Sequence, residues 1–571
     1  MSEPKGPTIA YDLEVPMRDG VKLSANVFLP PGRGRFPVIM NRTPYVKDSG
    51  RKERLRRLSA SFARSGYAVV HMDVRGRGNS GGTFTPNVQE AEDGFDSFAW
   101  AGTAPWSNGK IGTFGPSYEG WDQLIPMRLR SRYHRAAFVM CAPSLHPFRD
   151  CAGYAFGAPM AIMSMWRLFI TGRTLKEEIY DEDFDWALAL NVRPLKDTLS
   201  KLGVVDAPEN PLASHPTYDE YWKSFWSDDM VERWNVPSYF VTGWFDDSIR
   251  GALEYFPMLT KAHPDLEFRK RHKLLIGPWY HALSAPFEPS SKVGEIDYGP
   301  SSVVDLGQEA LRWFDYWLKG VQNGVMDEPP TRLFLMGANR WMRPSEFPLP
   351  EARERVYYLS ATGPSNTLEG SGVLSAEPRR DGGRDHSSFD YDPRDPAPAP
   401  FWKKNFQNGT NEDLRAIQGR RDVLVFTSDP LASPLNAVGM LSARLFVSTS
   451  AVDTDFVARL SDVHPGGYAE RLNHGILRLR YREGFEKAVP VTPGAVMEIT
   501  VDMAATGQRF QKGHRVRLDV TSSAFPVYSP NLNTGEGIWD EAKPVRATQK
   551  VFHSDRYPSR LIVQEVRRVP R

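Results

Sequence analysis

Apolar and polar residues alternate along residues 11–29, on both sides of the turn Arg18-Asp19-Gly20. Asp-Gly between alternating runs is a hairpin signal, so antiparallel strands are predicted to open the chain. A short apolar run at 36–40 predicts another strand. The basic stretch RKERLRRL carries Leu55, Leu58 and Phe62 on one helical face, with Gly66 placed to end it. Residues 67–74 read as a buried strand with Asp73 near its end, 88–101 as a helix and 110–114 as a second buried strand. Trp121, Leu124, Ile125 and Leu129 then follow at helical spacing. Strand, helix and strand in alternation imply a parallel sheet with helices on its faces.

From about 148 to 234 the pattern becomes amphipathic helices rich in Met, Trp and Phe, with no strand predicted. Strand runs return at 236–242 and 273–277, which makes the helical block an insertion of the kind that covers sites. An amphipathic helix is expected at 306–318. Beyond about 356, short alternating runs at 424–426, 441–447, 476–481, 496–503 and 516–520 are separated by Gly, Pro, Asp and Asn clusters. Those runs predict an all-β sandwich. The expected organisation is an α/β domain from 1–147 and 235–350, a helical cap at 148–234, and a β domain at 351–571. The Gly-, Pro- and Asp-rich stretch 370–400 is expected to run over the surface.

Composition changes this picture little. A chain of 571 residues exceeds one hydrophobic core, in keeping with several domains. Lys plus Arg at 71 against Asp plus Glu at 69 leave no bulk charge to attract nucleic acid or an acidic membrane. Cys141 and Cys151 are too few for a disulfide framework, and their spacing matches no zinc motif. The opening MSEPKGPTIAYDLEV has no apolar leader core, and no later stretch has membrane-spanning length. A soluble protein of the cytoplasm is expected, with self-association left open. The run Gly76-Arg77-Gly78-Asn79-Ser80-Gly81 matches the spacing of a dinucleotide loop, but Gly82, Thr83, Pro86 and Asn87 oppose the helix that such a loop must open. Residues 180–185 are acidic yet lack the glycine of a calcium loop. Neither cofactor nor metal is expected.

The candidate chemistry lies at strand ends. Between the strand at 110–114 and the helix that follows, the chain must turn sharply, and Gly115 and Gly120 remove Cβ atoms that would clash there. Ser117 is left at the tip of a nucleophile elbow, with the Tyr118 amide aimed where an oxyanion would form. The common pattern is G-x-S-x-G. Here Glu119 occupies the second glycine position and Gly120 follows one place later. The two returning strands run into Gly243-Trp244-Phe245-Asp246-Asp247 and Gly277-Pro278-Trp279-Tyr280-His281. On a parallel sheet these ends share one edge with Ser117, and the order Ser, Asp, His is that of the α/β-hydrolases. Either Asp246 or Asp247 can fill the acidic place.

GPSYEG, GWFDD and IGPWYH, preceded by MRDGVKL, NRTPY and DVRGRGNSGG, resemble the CocE/NonD hydrolases over nearly the whole chain. That family takes in simple esterases, α-amino-acid ester hydrolases and relatives of the X-prolyl dipeptidyl peptidases. The resemblance implies an α/β-hydrolase domain with a helical cap and a C-terminal jelly roll, to which DTDFVARL, GHRVRLDV and SSAFPVYSPNLNTG also point. It assigns Ser117 as nucleophile, Asp246 as acid, His281 as base, and the Tyr45 hydroxyl and Tyr118 amide as oxyanion donors. No cofactor is implied. The expected reaction is hydrolysis of a small carboxylic ester, with amides harder, over a pocket including Glu119, Trp166, Phe169, Trp244 and Phe245. Members that favour α-amino acyl groups resemble one another in an acidic pair three and four residues beyond the acid. Ile249 and Arg250 stand at those places, so an uncharged acyl group is favoured and Arg250 is expected in a structural ion pair. α-Amino-ester or X-Pro hydrolysis stays the alternative and would need acids elsewhere, such as Asp150 or Glu119. A binding protein with a degenerate hydrolase core is the remaining reading.

Overall fold

The computed structural model describes residues 6–568, apart from 51–52, 145, 150–152, 182, 206–209, 225–229, 282–289, 379–382, 400, 403–406 and 409–411. Ten strands form the first sheet: β1 (Thr8–Pro16), β2 (Lys22–Leu29), β3 (Phe36–Thr43), β4 (Ala68–Asp73), β5 (Ser107–Pro116), β6 (His134–Met140), β7 (Ser238–Gly243), β8 (Lys273–Gly277), β9 (Thr331–Leu335) and β10 (Arg340–Met342). Their spatial order is β1-β2-β4-β3-β5-β6-β7-β8-β9-β10. The run from β4 to β9 is parallel, and antiparallel pairs close both ends. The opening hairpin turns at Gly20, whose φ of 84° suits a residue without a Cβ. Its second strand is buried on both faces, with Leu23, Ala25 and Val27 packed on one layer and Phe28 on the other.

That two-sided burial holds for the parallel strands, as expected where helices cover both faces. Val38, Met40, Val70 and Ile111 meet Phe98 and Ala101 of α2 (Glu90–Thr103). Their neighbours Ile39, Val69 and Phe114 point the other way, onto Phe62 of α1 (Glu53–Arg64) and Phe314 of the helix Leu306–Phe314. The elbow helix α3 (Tyr118–Leu124) and α4 (Ala161–Phe169) of the cap complete the site's surroundings. Among the described residues, no helix is long and apolar enough to cross a membrane.

The cap is not free of strands. Tyr154–Ala155 and Ala158–Pro159 form a two-rung hairpin. Gly157 turns it at φ 81°, and Arg478 N and Ser529 N of the β domain donate to the carbonyls of Phe156 and Pro159. The glycine-rich loop at 76–82 stays irregular, and no helix opens at its glycines. It carries the buried Arg77, whose guanidinium donates to the carbonyls of Pro44 and Ile170 and so ties the loop before Tyr45 to the cap.

The C-terminal domain is all β, and among its described residues eleven strands form one sheet around the main apolar core. Its strands include β11 (Leu435–Thr449), β12 (Asp455–Val463), β13 (Ala469–Arg478), β14 (Met497–Phe510) and β15 (Arg515–Thr521). Arg459 with Asp519 at 2.6 Å and Arg478 with Asp455 at 2.9 Å are fully buried ion pairs within it. The two domains share backbone hydrogen bonds: Met336, just past β9, donates to Gly507 O and accepts from Arg509 N, both at 2.8 Å.

Candidate active site

β5 ends at Pro116 and α3 begins at Tyr118, so the whole reversal falls on Ser117, at φ 58° and ψ −125°. Such a conformation is strained for a residue with a Cβ and is held by its surroundings. Ser117 N donates to Met140 O, and Ser117 O accepts from the amides of Gly120 and Trp121. A Cβ on Gly120 would lie 2.8 Å from the Met140 carbonyl oxygen, so this residue allows α3 to lie against β6. Glu119 takes the other direction. It is buried, with Oε1 accepting from Thr43 Oγ1 at 2.6 Å and Oε2 from Asn41 Nδ2 at 3.0 Å. Glu119, expected at a pocket, thus ties α3 to β3.

The loop after β7 presents Asp246. Its carboxylate accepts from Thr242 Oγ1 at 2.7 Å and Ser248 N at 2.8 Å, and the buried Cys141 thiol adds a further bond. Burial alone would raise this carboxyl, but the facing His281 imidazole and the bonds from Thr242 and Cys141 hold it below the usual range. His281 follows β8. Its Nδ1 lies 2.8 Å from Asp246 Oδ1 and its Nε2 2.9 Å from Ser117 Oγ. Asp247 Oδ1 stands 3.4 Å from the same Nδ1. Burial, reinforced by the neighbouring Asp246, pushes the Asp247 carboxyl up to about 6.

Above the serine, the Tyr45 hydroxyl accepts from Trp166 Nε1 at 3.2 Å and also bonds the Ser117 side chain. An indole N–H only donates, so the phenol proton is left to point toward the serine. Burial pushes the phenol up and keeps that proton in place. Phe169 stands beside Tyr45 with ring centroids 6.3 Å apart, and Trp166 stacks on Tyr118 at 6.0 Å. The Tyr118 side chain turns inward, donating to Glu90 Oε1 at 2.9 Å and accepting from Asn87 N at 3.0 Å. Glu90 in turn holds the buried Arg42 at 2.5 Å.

Trp244, also expected at a pocket, packs toward the β domain. It is buried, its Nε1 donates to Phe334 O at 2.7 Å, and its ring lies where a Cβ on Gly507 of the β domain would come within 2.6 Å. Phe245 borders a cavity of about 40 Å³ together with Asp247, Ile249, Arg471, His474 and Tyr528. Arg250 pairs with Asp502 Oδ1 at 2.8 Å and lies 4.5 Å from the Phe156 ring, which meets the expectation of a structural ion pair. Asp150 and Cys151 lie outside the described residues. Sequence reasoning missed Cys141 and Thr242, although both stand at strand ends on the edge that carries Ser117.

The X-Pro dipeptidyl-peptidase (S15 family) model matches residues 19–283, and the X-Pro dipeptidyl-peptidase C-terminal non-catalytic domain matches 323–562. The chain is 32% identical to "Cocaine esterase" of Rhodococcus sp. (strain MB1 Bresler), over 98% of this chain and 99% of that one. Among solved structures, an aminopeptidase from the marine sediment archaeon Thaumarchaeota archaeon superposes with a TM-score of 0.86 at 25% identity, covering 99% of this chain and 98% of that one. An α-amino acid ester hydrolase does so with 0.85 at 26% identity, covering 98% and 97%. Two-domain coverage, full-length identity and the shared architecture lead to one conclusion: the chain belongs to the CocE/NonD family of serine hydrolases.

Proposed function

We propose that this protein hydrolyses carboxylic esters of uncharged acyl groups through an acyl-enzyme on Ser117. The observation that carries the reading is the position of His281, with one ring nitrogen at 2.9 Å from the serine hydroxyl and the other at 2.8 Å from a buried carboxylate. In this mechanism Ser117 Oγ attacks the ester carbonyl carbon while His281 Nε2 takes its proton, and Asp246 stabilises the imidazolium. The Tyr45 hydroxyl and the Tyr118 amide receive the oxyanion. Collapse breaks the bond to the alkoxy group, which leaves with the proton held on His281. Water then attacks the acyl carbon, gives a proton to His281, and releases the acid as Ser117 Oγ recovers that proton. We extend the proposal to small-molecule esters in a cytoplasmic setting, supported by two cysteines, too few for a disulfide framework; amides are slower substrates.

The uncharged acyl group is supported by Ile249 and by the engagement of Arg250 with Asp502. A second reading, cleavage after an α-amino acyl group, draws on the names of the two solved relatives and on the Asp247 carboxylate at the cavity beside Phe245. The test has two parts. Fluorophosphonate should label wild type stoichiometrically and leave Ser117→Ala unlabelled, and that variant should lose more than about 10³-fold in turnover while keeping its fold. Labelling elsewhere, or residual activity above about a hundredth, overturns the nucleophile. On matched esters with and without an α-amino group, plus an X-Pro anilide, the simple ester should be preferred; preference for the free amine moves the assignment to the second reading.

A further inference from the structure

Two turns at one end of the β domain gather side chains that the ester chemistry does not use. Asp462 lies near the end of β12, His464 begins the turn after it, Glu470 lies near the start of β13, and His514 immediately precedes β15. His514 Nδ1 is 2.8 Å from Asp462 Oδ1, and His464 Nε2 is 3.1 Å from Glu470 Oε2. The two imidazole rings are 4.5 Å apart. One ligand atom each from Asp462, His464 and His514 lies within 4.8 Å of the other two. Both carboxylates are buried, with side-chain exposures of 1% for Asp462 and 6% for Glu470, while His464 keeps 33%.

We propose that this corner is a binding site for a divalent transition-metal ion of the zinc class, held by Asp462, His464 and His514, with Glu470 bonded to His464 beside them. Two imidazoles with one carboxylate form a three-ligand set suited to such an ion, which leaves a position for water. Each buried carboxylate here faces an imidazole, so a bound dication would add positive charge where two carboxylates are withdrawn from water. The outer atoms of Asp462 are already oriented, since its Oδ2 accepts from Gln508 Nε2 at 2.8 Å. A zinc tetrahedron has ligand edges of about 3.3 Å, so no separation among the three ligand atoms need close by more than about 1.5 Å. His464 is the side chain free to move. It is partly exposed, and it opens a turn through Pro465, Gly466 and Gly467. The other cluster of ligand-type groups among the described residues, Cys141, Asp246 and His281, belongs to the active site and is a competitor in any titration.

The ion would act at a distance from the serine. The Tyr298 hydroxyl donates to Glu470 Oε1 at 3.4 Å, and the Tyr298 ring centroid lies 6.4 Å from that of Phe245, which precedes Asp246. The Tyr468 hydroxyl, in the same turn as His464, donates to Glu295 Oε2 of the hydrolase domain at 2.8 Å. Metal in this corner would therefore stiffen the contact between the two domains. The experiment uses full-length protein treated with chelator, dialysed and titrated with ZnCl₂, in wild type, His281→Ala and His464→Ala. The proposal expects one equivalent at a dissociation constant of about 1 µM or tighter. It also expects a rise of several degrees in Tm. Both should persist in His281→Ala and be lost in His464→Ala, whose exposed turn should leave its zinc-free Tm close to that of wild type. Binding that survives His464→Ala, or disappears with His281→Ala, overturns the proposal, as does the absence of binding at a hundredfold higher zinc.

Discussion

Tyr45 and Trp166 act together at the smallest scale, because the indole donates to the phenol and so directs the phenol's own proton toward the serine. Tyr45→Phe should lower kcat by about 10²-fold with a smaller change in KM, as for loss of one oxyanion donor. Trp166→Phe keeps an aromatic ring, though a smaller one, and removes the N–H, so its loss should be smaller but again mainly in kcat. Equal losses in KM would assign both residues to binding instead. Asp246 and Asp247 separate in the same way. Asp246→Asn removes the partner of His281 Nδ1 and should cost about 10⁴-fold in kcat. Asp247→Asn should cost far less and reveal itself in stability. The folded protein holds the Asp247 proton up to about pH 6, whereas the unfolded chain releases it near 4. Between those values the folded state binds more protons, so this residue lowers stability as pH rises. Denaturant unfolding from pH 4 to 7 should show Asp247→Asn gaining on wild type toward pH 7, and a constant difference would contradict the buried carboxylate. Strand-end position made Ser117, Asp246 and His281 legible in the sequence. Cys141 and Thr242 were not legible, because a thiol or hydroxyl becomes a partner only once β6 and β7 lie side by side. The directions of Glu119 and Trp244 were equally hidden, since motif spacing does not tell whether a side chain faces solvent or core.

At the scale of elements, the elbow departs from the usual glycine spacing without losing its geometry. Gly120, one place beyond the usual position, is the residue that lets α3 approach β6. Gly120→Ala should destabilise by roughly 1–3 kcal/mol, the range for overpacking a tight site. It should also reduce fluorophosphonate labelling, since Ser117 rides on the same turn. Labelling and stability at wild-type levels would mean that the turn relaxes freely. The parallel strands and covering helices were readable because their apolar runs are long and bounded. The cap hairpin was not, because two-residue strands carry no periodicity and this one is held by carbonyl bonds to the β domain. The loop at 76–82 shows the same limit from the other side: its spacing fits a dinucleotide loop, while its buried arginine serves to tether the Tyr45 loop to the cap.

Across the whole molecule the division into residues 1–147 with 235–350, 148–234 and 351–571 remains our proposal, and the contacts between these parts decide how they behave. Arg250 joins all three: it belongs to the hydrolase domain, pairs with Asp502 of β14, and lies over Phe156 of the cap. Asp502 keeps 32% of its side-chain exposure, so the pair is worth less than a fully buried one. Arg250→Ala should lower stability by about 1–2 kcal/mol and make the fluorescence and activity transitions in denaturant separate. Coincident transitions would show that the other contacts suffice.

The backbone bonds at Met336 carry one further consequence, for recombination between relatives. A β domain transplanted from another member of the family would have to bring not only a compatible surface but also a strand in register with the edge of the recipient's sheet. It would also need a residue as small as Gly507 opposite the indole that precedes the acid loop. A crossover placed in the linker at 350 would thus inherit mismatched halves of one hydrogen-bonded seam. Productive chimeras should be those whose parental sequences already agree along residues 336 and 507–509, however different they are elsewhere.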